Sequence, residues 1–397
     1  MGAFTGTAGL QRAGTLVACL MFALLAIGSG ADRATYFNPA GADNVPGVFA
    51  VQAVIQQSRR ELTVGNKALA RVLAEKAVRL APIDPASTAL LGGSRLALGD
   101  TAGADKAFRV AGQMGWRAAL TQIYWMDRAM ATGDQRVAAM RLDALLRQDP
   151  TMVGERVLMG ALESTEAGRA ALVERLQAQP GWLSYYANPV DDIPAEASLA
   201  RADVLNGLAR RGQRLGCAGA GPLTRNLIAQ GLTVPAYDFW LAHCPEHGPG
   251  LVADPSFAQL QVHQSNSPFE WAIVGDSDVS VNLEPGAAGR PNQLVIASSA
   301  SFVRTVMVQM VMAQPGTYRL SWRALSSDGQ VSNRVVANLS CTAKGPVWLP
   351  ASLDQRSGRS FATARADGSC AGSWLSLALL PGTDSVTLDG IALEKIG

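Results

Sequence analysis

The sequence predicts a multidomain chain of the α-then-β class: one apolar N-terminal helix, an α-helical solenoid and a C-terminal antiparallel β-sandwich. Three observations predict this order. An uncharged stretch covers residues 13–31, a repeating period runs through residues 51–180, and alternating strand-like runs fill residues 256–397. Because 48 % of the 397 residues are hydrophobic, the chain has enough apolar material for more than one core.

The first segment is typical of membrane insertion or export. Arg12 precedes nineteen uncharged residues, Ala13 to Ala31, and a helix of that length spans about 28 Å. Two interpretations stay open, an uncleaved transmembrane anchor at residues 13–31 or a signal peptide cleaved after Ser29-Gly30-Ala31. Either way, the positive charge of Arg12 keeps residues 1–12 in the cytoplasm and the rest of the chain outside it.

The abundance of Arg and Ala suggests a bacterial source. We therefore expect a single-pass protein of the bacterial inner membrane with its bulk in the periplasm, or a periplasmic protein if the segment is cleaved.

The cysteines fit an oxidising compartment. Cys19 ends a lipobox-like tetrapeptide, but the most apolar residues follow it, so we do not expect lipidation. The other four form two sequence-local pairs, 27 and 29 residues apart, Cys217 with Cys244 and Cys341 with Cys370. In an exported chain this spacing predicts two disulfides, each worth about 3–4 kcal/mol. Unpaired buried thiols are the alternative if the chain is not exported.

A period of 34 residues follows a linker at residues 32–50. Each repeat contains Gly followed by Asn or Asp, at 65–66, 99–100 and 133–134. Small or apolar residues then recur five, nine and twelve positions after each Gly: Ala70, Ala104 and Ala138; Ala74, Phe108 and Leu142; Ala77, Ala111 and Leu145. A Gly in a left-handed cap and an Asn or Asp N-cap are what a helix–turn–helix unit requires at this point.

This pattern resembles the tetratricopeptide repeat, whose period is also 34 residues. The best unit, Asp84–Gly115, contains Leu90-Leu91-Gly92, the run Leu96 to Asp100, and then Ala104, Ala107-Phe108 and Ala111. The resemblance covers residues 51–180 and implies a groove that binds a protein partner, with a purely structural spacer as the alternative. Residues 181–255 are interpreted as an atypical capping helical region.

Residues 256–397 are rich in Val, Ser, Thr, Gly and aromatic residues. Phe302–Met312 and Tyr318–Arg323 alternate in hydrophobicity on either side of the turn Gln314-Pro315-Gly316, and further short runs follow to the end of the chain. Strands at this spacing predict an antiparallel sandwich, and about 140 residues suit a jelly roll.

This region resembles the jelly-roll domains of carbohydrate-binding modules. The residues that carry the resemblance are Pro268 to Trp271, Val308-Gln309, Pro315 to Leu320, and Val386 to Leu393. The resemblance implies exposed aromatic rings that stack on sugars. Trp271 and Trp348, near strand ends, are the candidate ligand-binding residues, whereas Trp322 and Trp374 are expected in the core.

Several other activities find no support in the sequence. A net charge of +2 gives no reason to expect nucleic acid as a partner. His243 and His247 flank Cys244 and Pro245, but the proline prevents their alignment on a helix, so no metal site is expected. No nucleophile elbow or phosphate-binding glycine loop occurs. We therefore expect no enzyme activity, no catalytic residue and no cofactor.

Together these patterns predict a non-enzymatic, membrane-anchored periplasmic adaptor. Its solenoid would bind a protein partner and its sandwich would contact polysaccharide, as in accessory proteins of exopolysaccharide or capsule assembly and export. The alternatives are a cell-envelope scaffold without sugar binding and, third, a polysaccharide-processing enzyme.

Overall fold

The computed structural model describes residues 6–189, 193–245, 250–262, 267–275, 277–286, 292–343 and 345–397, with side chains from residue 14. It confirms the predicted fold class of an apolar N-terminal helix, a helical region and antiparallel sheets. The chain divides into two compact units, unit 1 (Met1–Met152) and unit 2 (Val153–Gly397).

Unit 1 is helical. Its helices are α1 (Gly6–Ala34), α2 (Val51–Thr63), α3 (Lys67–Leu80), α4 (Pro85–Ala97), α5 (Thr101–Gln113), α6 (Ala119–Ala131) and α7 (Gln135–Leu146), with a 3-10 helix at Pro39–Asn44. Helix α1 is long and apolar enough over Gly14–Ala34 to cross a membrane, and most of that stretch is exposed.

The last turns of α1 pack into the helical domain. A Cβ on Gly28 would lie 2.4 Å from the Phe49 ring, so only glycine allows this approach. The Asp32 carboxylate accepts hydrogen bonds from the backbone N–H groups of Gln52 (3.0 Å) and Ala53 (2.8 Å), which caps the start of α2. The end of α1 is therefore joined to the first hairpin by packing and by a cap.

Helices α2 to α7 form three helical hairpins with the predicted period. Gly65, Gly99 and Gly133 end the first helices with φ of +86°, +85° and +76°, the left-handed region where glycine carries no steric penalty. The small and apolar residues that recur five, nine and twelve positions after each Gly are all buried. The helical repeat is thus present, while its assignment as a tetratricopeptide repeat stays a prediction.

Aromatic packing fills the gap between the second and third hairpins. The Phe108 ring stacks on the Tyr124 ring with centroids 4.2 Å apart. A Cβ on Gly92 would lie 2.9 Å from Phe108, so the glycine makes room for the ring. The large residue and the missing side chain are complementary, as close packing requires.

Unit 2 begins with further helices. They are α8 (Arg156–Glu163), α9 (Glu166–Leu176), α10 (Leu183–Ala187), α11 (Ala195–Arg210), α12 (Gly216–Ala229) and α13 (Thr233–His243). A 3-10 helix at Pro150–Gly154 precedes them, where the two units meet in sequence.

The rest of unit 2 is an antiparallel β-sandwich. Its strands are β1 (Ala272–Ile273), β2 (Val279–Glu284), β3 (Gln293–Ser298), β4 (Arg304–Val311), β5 (Gly316–Ser326), β6 (Val335–Ser340), β7 (Ser352–Asp354), β8 (Arg359–Ala366), β9 (Ser373–Leu379) and β10 (Val386–Lys395). One sheet has the order β1-β4-β9-β6 and the other β2-β3-β10-β5-β8-β7. Alternate residues of both sheets form one hydrophobic core between them.

Helix α13 packs against the sandwich within unit 2. The Tyr237 and Trp240 rings lie 5.0 and 5.5 Å from the Phe269 ring. A Cβ on Gly372 would lie 2.9 Å from a methyl carbon of Thr233 at the start of α13. Because helix and sheet bury apolar surface on each other, the sandwich in this chain is supported by the helices before it.

Candidate functional site

Trp271 is not a surface residue, which corrects its prediction as a sugar-stacking side chain. Only 3 % of Trp271 is exposed, and its ring packs 6.4 Å from that of Phe257 within the sandwich core. The segment with Val252, Phe257 and Leu260 folds into the same core and covers the indole. The position of Trp271 near a strand end did not reveal this covering segment.

Trp348 is half-buried at the edge of the four-stranded sheet. It precedes Leu349, which donates its N–H to the Ala337 carbonyl (2.9 Å) beside β6. Trp322 is fully buried as expected, and Trp374 in β9 is half-buried. The two candidate tryptophans therefore do not share an exposed face, and only Trp348 has surface to offer a ligand.

The sandwich instead has a cleft of about 730 Å³ that no sequence motif indicated. Residues from the β2 and β3 ends and from the loop before β10 line it. Hydroxyl groups dominate the lining: Ser277, Ser280, Ser298, Ser299, Ser301 and Thr383. We call this the hydroxyl cleft. The only signal in the sequence was the serine-rich run at residues 298–301.

Two arginines fix the walls of the hydroxyl cleft. The Arg304 guanidinium donates from Nε (2.8 Å) and Nη2 (2.6 Å) to one oxygen of Asp278. Arg334 donates to the carbonyls of Leu380 and Gly382 (2.9 Å each), and also to that of Asp384. These charge-assisted bonds stiffen loops that would otherwise be free to move.

Polar groups and one aromatic ring remain available at the hydroxyl cleft. The second carboxylate oxygen of Asp278 is buried and has no hydrogen-bond partner among the described residues. Phe302, next to the cleft-lining Ser301, is 55 % exposed, and the Arg304 guanidinium lies 4.2 Å from its ring centroid. A polyol can exchange hydrogen bonds with hydroxyls and a carboxylate while a sugar ring contacts an apolar ring face.

Both predicted disulfides are present, Cys217–Cys244 and Cys341–Cys370. The first lies near the carboxylate of Glu270, with the ligand atoms of all three residues within 4.8 Å of one another. A thiolate can bind a metal, whereas a disulfide sulfur carries no such charge. As bonded here, these cysteines stabilise the structure.

His243 is a buried neutral imidazole at the end of α13. Its Nδ1 accepts a hydrogen bond from the backbone N–H of Leu215 (3.2 Å). Burial, aided by Arg214, lowers the pKa of His243 to about 4. His247, the other histidine that flanks Cys244 and Pro245, lies outside the described residues.

Comparisons with solved structures find proteins whose matches cover 32–38 % of this chain. A candidate sugar-binding protein from Bacteroides thetaiotaomicron is 13 % identical and covers 37 % of this chain and 100 % of its own, with a TM-score of 0.28. The module TmCBM61, solved with β-1,4-galactotriose, is 14 % identical over 38 % of this chain and 100 % of its own, with a TM-score of 0.25.

A third structure, the carbohydrate-binding module CBM4, is 15 % identical over 36 % of this chain and 99 % of its own, with a TM-score of 0.26. At these scores the likenesses identify no family and no function. No family model matches the chain. No curated protein matches it either.

Proposed function

We propose that this chain is a non-enzymatic, membrane-anchored adaptor of the bacterial cell envelope that binds a glycan through its sandwich and a protein partner through its helices. The hydroxyl cleft carries the proposal. It combines a concave shape, six hydroxyl side chains, a carboxylate oxygen that has no partner among the described residues, and an exposed aromatic ring at its margin. These groups match the alternating donors, acceptors and apolar faces of a sugar chain.

The packing of α1 supports an uncleaved anchor. Cleavage after Ala31 would remove Gly28 from the Phe49 contact and leave Asp32, the cap of α2, as a mobile chain terminus. A cleaved signal peptide has no need of such contacts with the mature domain. The two disulfides fit a chain that folds outside the cytoplasm.

The helical hairpins support the partner-binding half of the proposal. Stacked helical repeats bury their core between neighbours and offer an extended surface to a ligand. We propose that these hairpins are tetratricopeptide repeats and that they bind a protein of an exopolysaccharide or capsule assembly pathway. The periplasm is the proposed location of everything after α1.

The burial of Trp271 favours a second candidate, a cell-envelope scaffold that binds no sugar. Without Trp271, the predicted pair of stacking residues is lost. The scaffold and the adaptor differ in one property, affinity of the hydroxyl cleft for a glycan.

The test is binding of the full chain, purified in detergent with both disulfides intact, to a panel of bacterial polysaccharides by affinity electrophoresis. We expect retardation by at least one polysaccharide. Phe302→Ala and Ser301→Trp should each weaken it by roughly ten-fold or more, which corresponds to about 1.4 kcal/mol.

Two variants on other surfaces serve as controls. Thr363→Trp places a bulky ring on the exposed face of β8, and Trp348→Ala removes the half-buried candidate at the sheet edge. Thr363→Trp should bind like the unmodified chain. Loss of binding in Trp348→Ala but not in Phe302→Ala would move the glycan site to the sheet edge, and no binding by the folded chain would favour the scaffold.

A separate measurement tests the anchor. Intact mass analysis of the chain extracted from membranes should show the α1 residues still attached. An N-terminus at Asp32 would show that the segment is a signal peptide.

A further inference from the structure

The helical part of unit 2 encloses a cavity of about 480 Å³ that the proposed glycan site does not use. It lies between α8, α9 and α11, and its lining includes Arg156, Gly160, Glu163, Arg169 and Arg201. We call it the helical cavity. Its volume falls within the range of pockets that bind small molecules or single side chains.

A buried ion pair forms one wall of the helical cavity. The Nε of Arg201 donates to the Glu163 carboxylate (3.2 Å), and these side chains are only 2 % and 5 % exposed. A second nitrogen, Nη2, donates to the Val153 carbonyl (3.0 Å). Because desolvation offsets most of the attraction in a buried pair, stability alone is a weak reason for such a pair.

Arg169 continues the polar wall. Its Nε donates to the Asp203 carboxylate (2.6 Å) and its Nη1 to the Glu163 carbonyl at the end of α8 (3.0 Å). A guanidinium has more N–H groups than the two bonds described for each of these arginines use. Arg156, at the start of α8, adds an exposed cation at the mouth.

The charges of the helical cavity favour a ligand with an acceptor group. Besides three arginines, the lining holds the carboxylates of Glu163, Asp203 and Glu196. Glu163 and Asp203 are already paired with arginines, and burial raises the pKa of Glu163. The remaining carboxylate, Glu196, lies exposed in the first turn of α11 and can accept hydrogen bonds from N–H groups.

Small and apolar residues form other parts of the lining. A Cβ on Gly160 would meet no atom within 4 Å, so the cavity reaches the backbone of α8 there. Met159 and Ile193 are buried in the lining, and Ala197 and Ala200 keep the α11 side shallow. An apolar stem can lie along these residues while its polar end reaches the arginines.

We propose that the helical cavity binds an acidic side chain presented by a peptide segment of a partner protein. The carboxylate would meet N–H groups of Arg156 and Arg169, while Arg201 stays in its buried pair with Glu163. The peptide backbone supplies N–H groups that can donate hydrogen bonds to Glu196. A free anion has no such N–H groups. The inference rests on the proposed function only in needing a protein partner, and it is independent of glycan binding.

The experiment uses the full chain in detergent and the capped pentapeptide acetyl-Ala-Leu-Glu-Leu-Ala-amide, with saturation-transfer NMR as the readout. The peptide should receive saturation, and its Gln counterpart should bind at least about ten-fold more weakly because a neutral amide lacks the charge-assisted bonds. Free galacturonate and inorganic phosphate, as other sources of an anion, should not compete with the peptide.

A matched pair of variants locates the site. Gly160→Leu should fill the helical cavity and abolish peptide binding, whereas Gly160→Ala should keep it. Neither should lower the thermal midpoint, because glycine is the poorer helix former and a Cβ at position 160 meets no atom within 4 Å. Arg156→Glu should weaken binding at least about ten-fold, whereas Arg117→Glu on the surface of unit 1 should not.

Absence of peptide binding, equal binding of the Glu and Gln peptides, or full binding by Gly160→Leu would each overturn the proposal. So would displacement of the peptide by galacturonate. Polysaccharide retardation of the same samples reports the hydroxyl cleft separately, so failure at one site is distinguishable from failure at the other.

Discussion

The helices of unit 1 and those of unit 2 differ in how they use polar groups. In unit 1, the pairs Arg60–Asp43, Arg95–Asp100, Arg109–Asp105 and Arg147–Asp143 each have at least one partner side chain that is nearly half exposed or more. Unit 2 places the Glu163–Arg201 pair almost out of contact with solvent and next to a cavity. The helices of unit 1 thus carry these ion pairs near solvent, whereas those of unit 2 bury one beside a cavity.

The same difference extends to covalent and titratable groups. Every histidine of the chain and both disulfides lie in unit 2, whereas the only cysteine of unit 1 is Cys19 in the apolar helix. Unit 2 should therefore respond to charge removal, reduction and acid, while unit 1 should respond chiefly to changes in packing and capping.

The largest effect is expected from Glu163→Ala. The substitution leaves the Arg201 guanidinium buried without its carboxylate, which should lower the free energy of unfolding of unit 2 by about 3–5 kcal/mol. Chemical denaturation followed by pulse proteolysis, with fragments assigned to each unit by mass, measures this.

The double variant Glu163→Leu with Arg201→Met is the control. It removes both charges and should recover most of the loss, because an apolar pair of similar size needs no desolvation of ions. If unit 1 loses as much stability as unit 2 in the single variant, the contrast between the units is wrong.

Reduction should come next in size. Cys341→Ala with Cys370→Ala opens a loop whose ends are 29 residues apart, at a cost of about 3–4 kcal/mol in the loop-entropy model. Thermal unfolding of this variant, and of the unmodified chain with and without dithiothreitol, should show the loss of stability in peptides from the sandwich of unit 2. Unit 1 peptides should be unaffected, and an equal shift in both units would contradict this prediction.

Acidification should separate the units through His243. Its pKa falls from an ordinary 6.5 in the unfolded chain to about 4 in the folded one, so the unfolded state binds the proton first as the pH drops. The neutral imidazole therefore stabilises unit 2 above pH 6.5, and this stability is lost as the pH falls toward 4. The loss is on the order of 3 kcal/mol.

His243→Asn is the matched variant for this pH effect. An asparagine oxygen can replace Nδ1 as the acceptor for the Leu215 N–H but does not titrate in this range. Calorimetry at pH 7 and pH 4.5 should show a smaller acid loss in the variant. An unchanged acid loss would mean that His243 is not the group responsible.

The sequence predicted the elements whose signals are local. Gly99 with Asp100, and Gly133 with Asp134, identify helix ends by backbone conformation and capping, which neighbouring residues determine. The cysteine spacing likewise predicted both pairs. Trp271 was misplaced because its burial depends on a separate segment that contains Phe257, and no periodicity encodes that contact.

The candidate sites depend on such long-range contacts. Arg304 meets Asp278 across 26 residues, and Arg201 meets Glu163 across 38. In the sequence all four are ordinary charged residues. Only the fold places Arg304 and Asp278 at a cleft and buries Arg201 with Glu163. Fold class is thus readable from patterns, whereas these sites are properties of the assembled unit 2.

The smallest effect tests the repeat itself, through three equivalent N-caps in unit 1. The Asp100 and Asp134 carboxylates accept hydrogen bonds from the backbone N–H groups of Gly103 (2.9 Å) and Val137 (3.0 Å). Among the described side chains, Asn66 accepts no such bond at α3 and instead donates to Glu61 (3.1 Å). Asp100→Ala and Asp134→Ala should each lower the free energy of unfolding by about 1 kcal/mol, and Asn66→Ala by only a few tenths.

Hydrogen exchange of the first turns of α3, α5 and α7 would measure the three losses side by side. Equal losses at all three positions would mean that the period, rather than the individual cap bond, determines stability there.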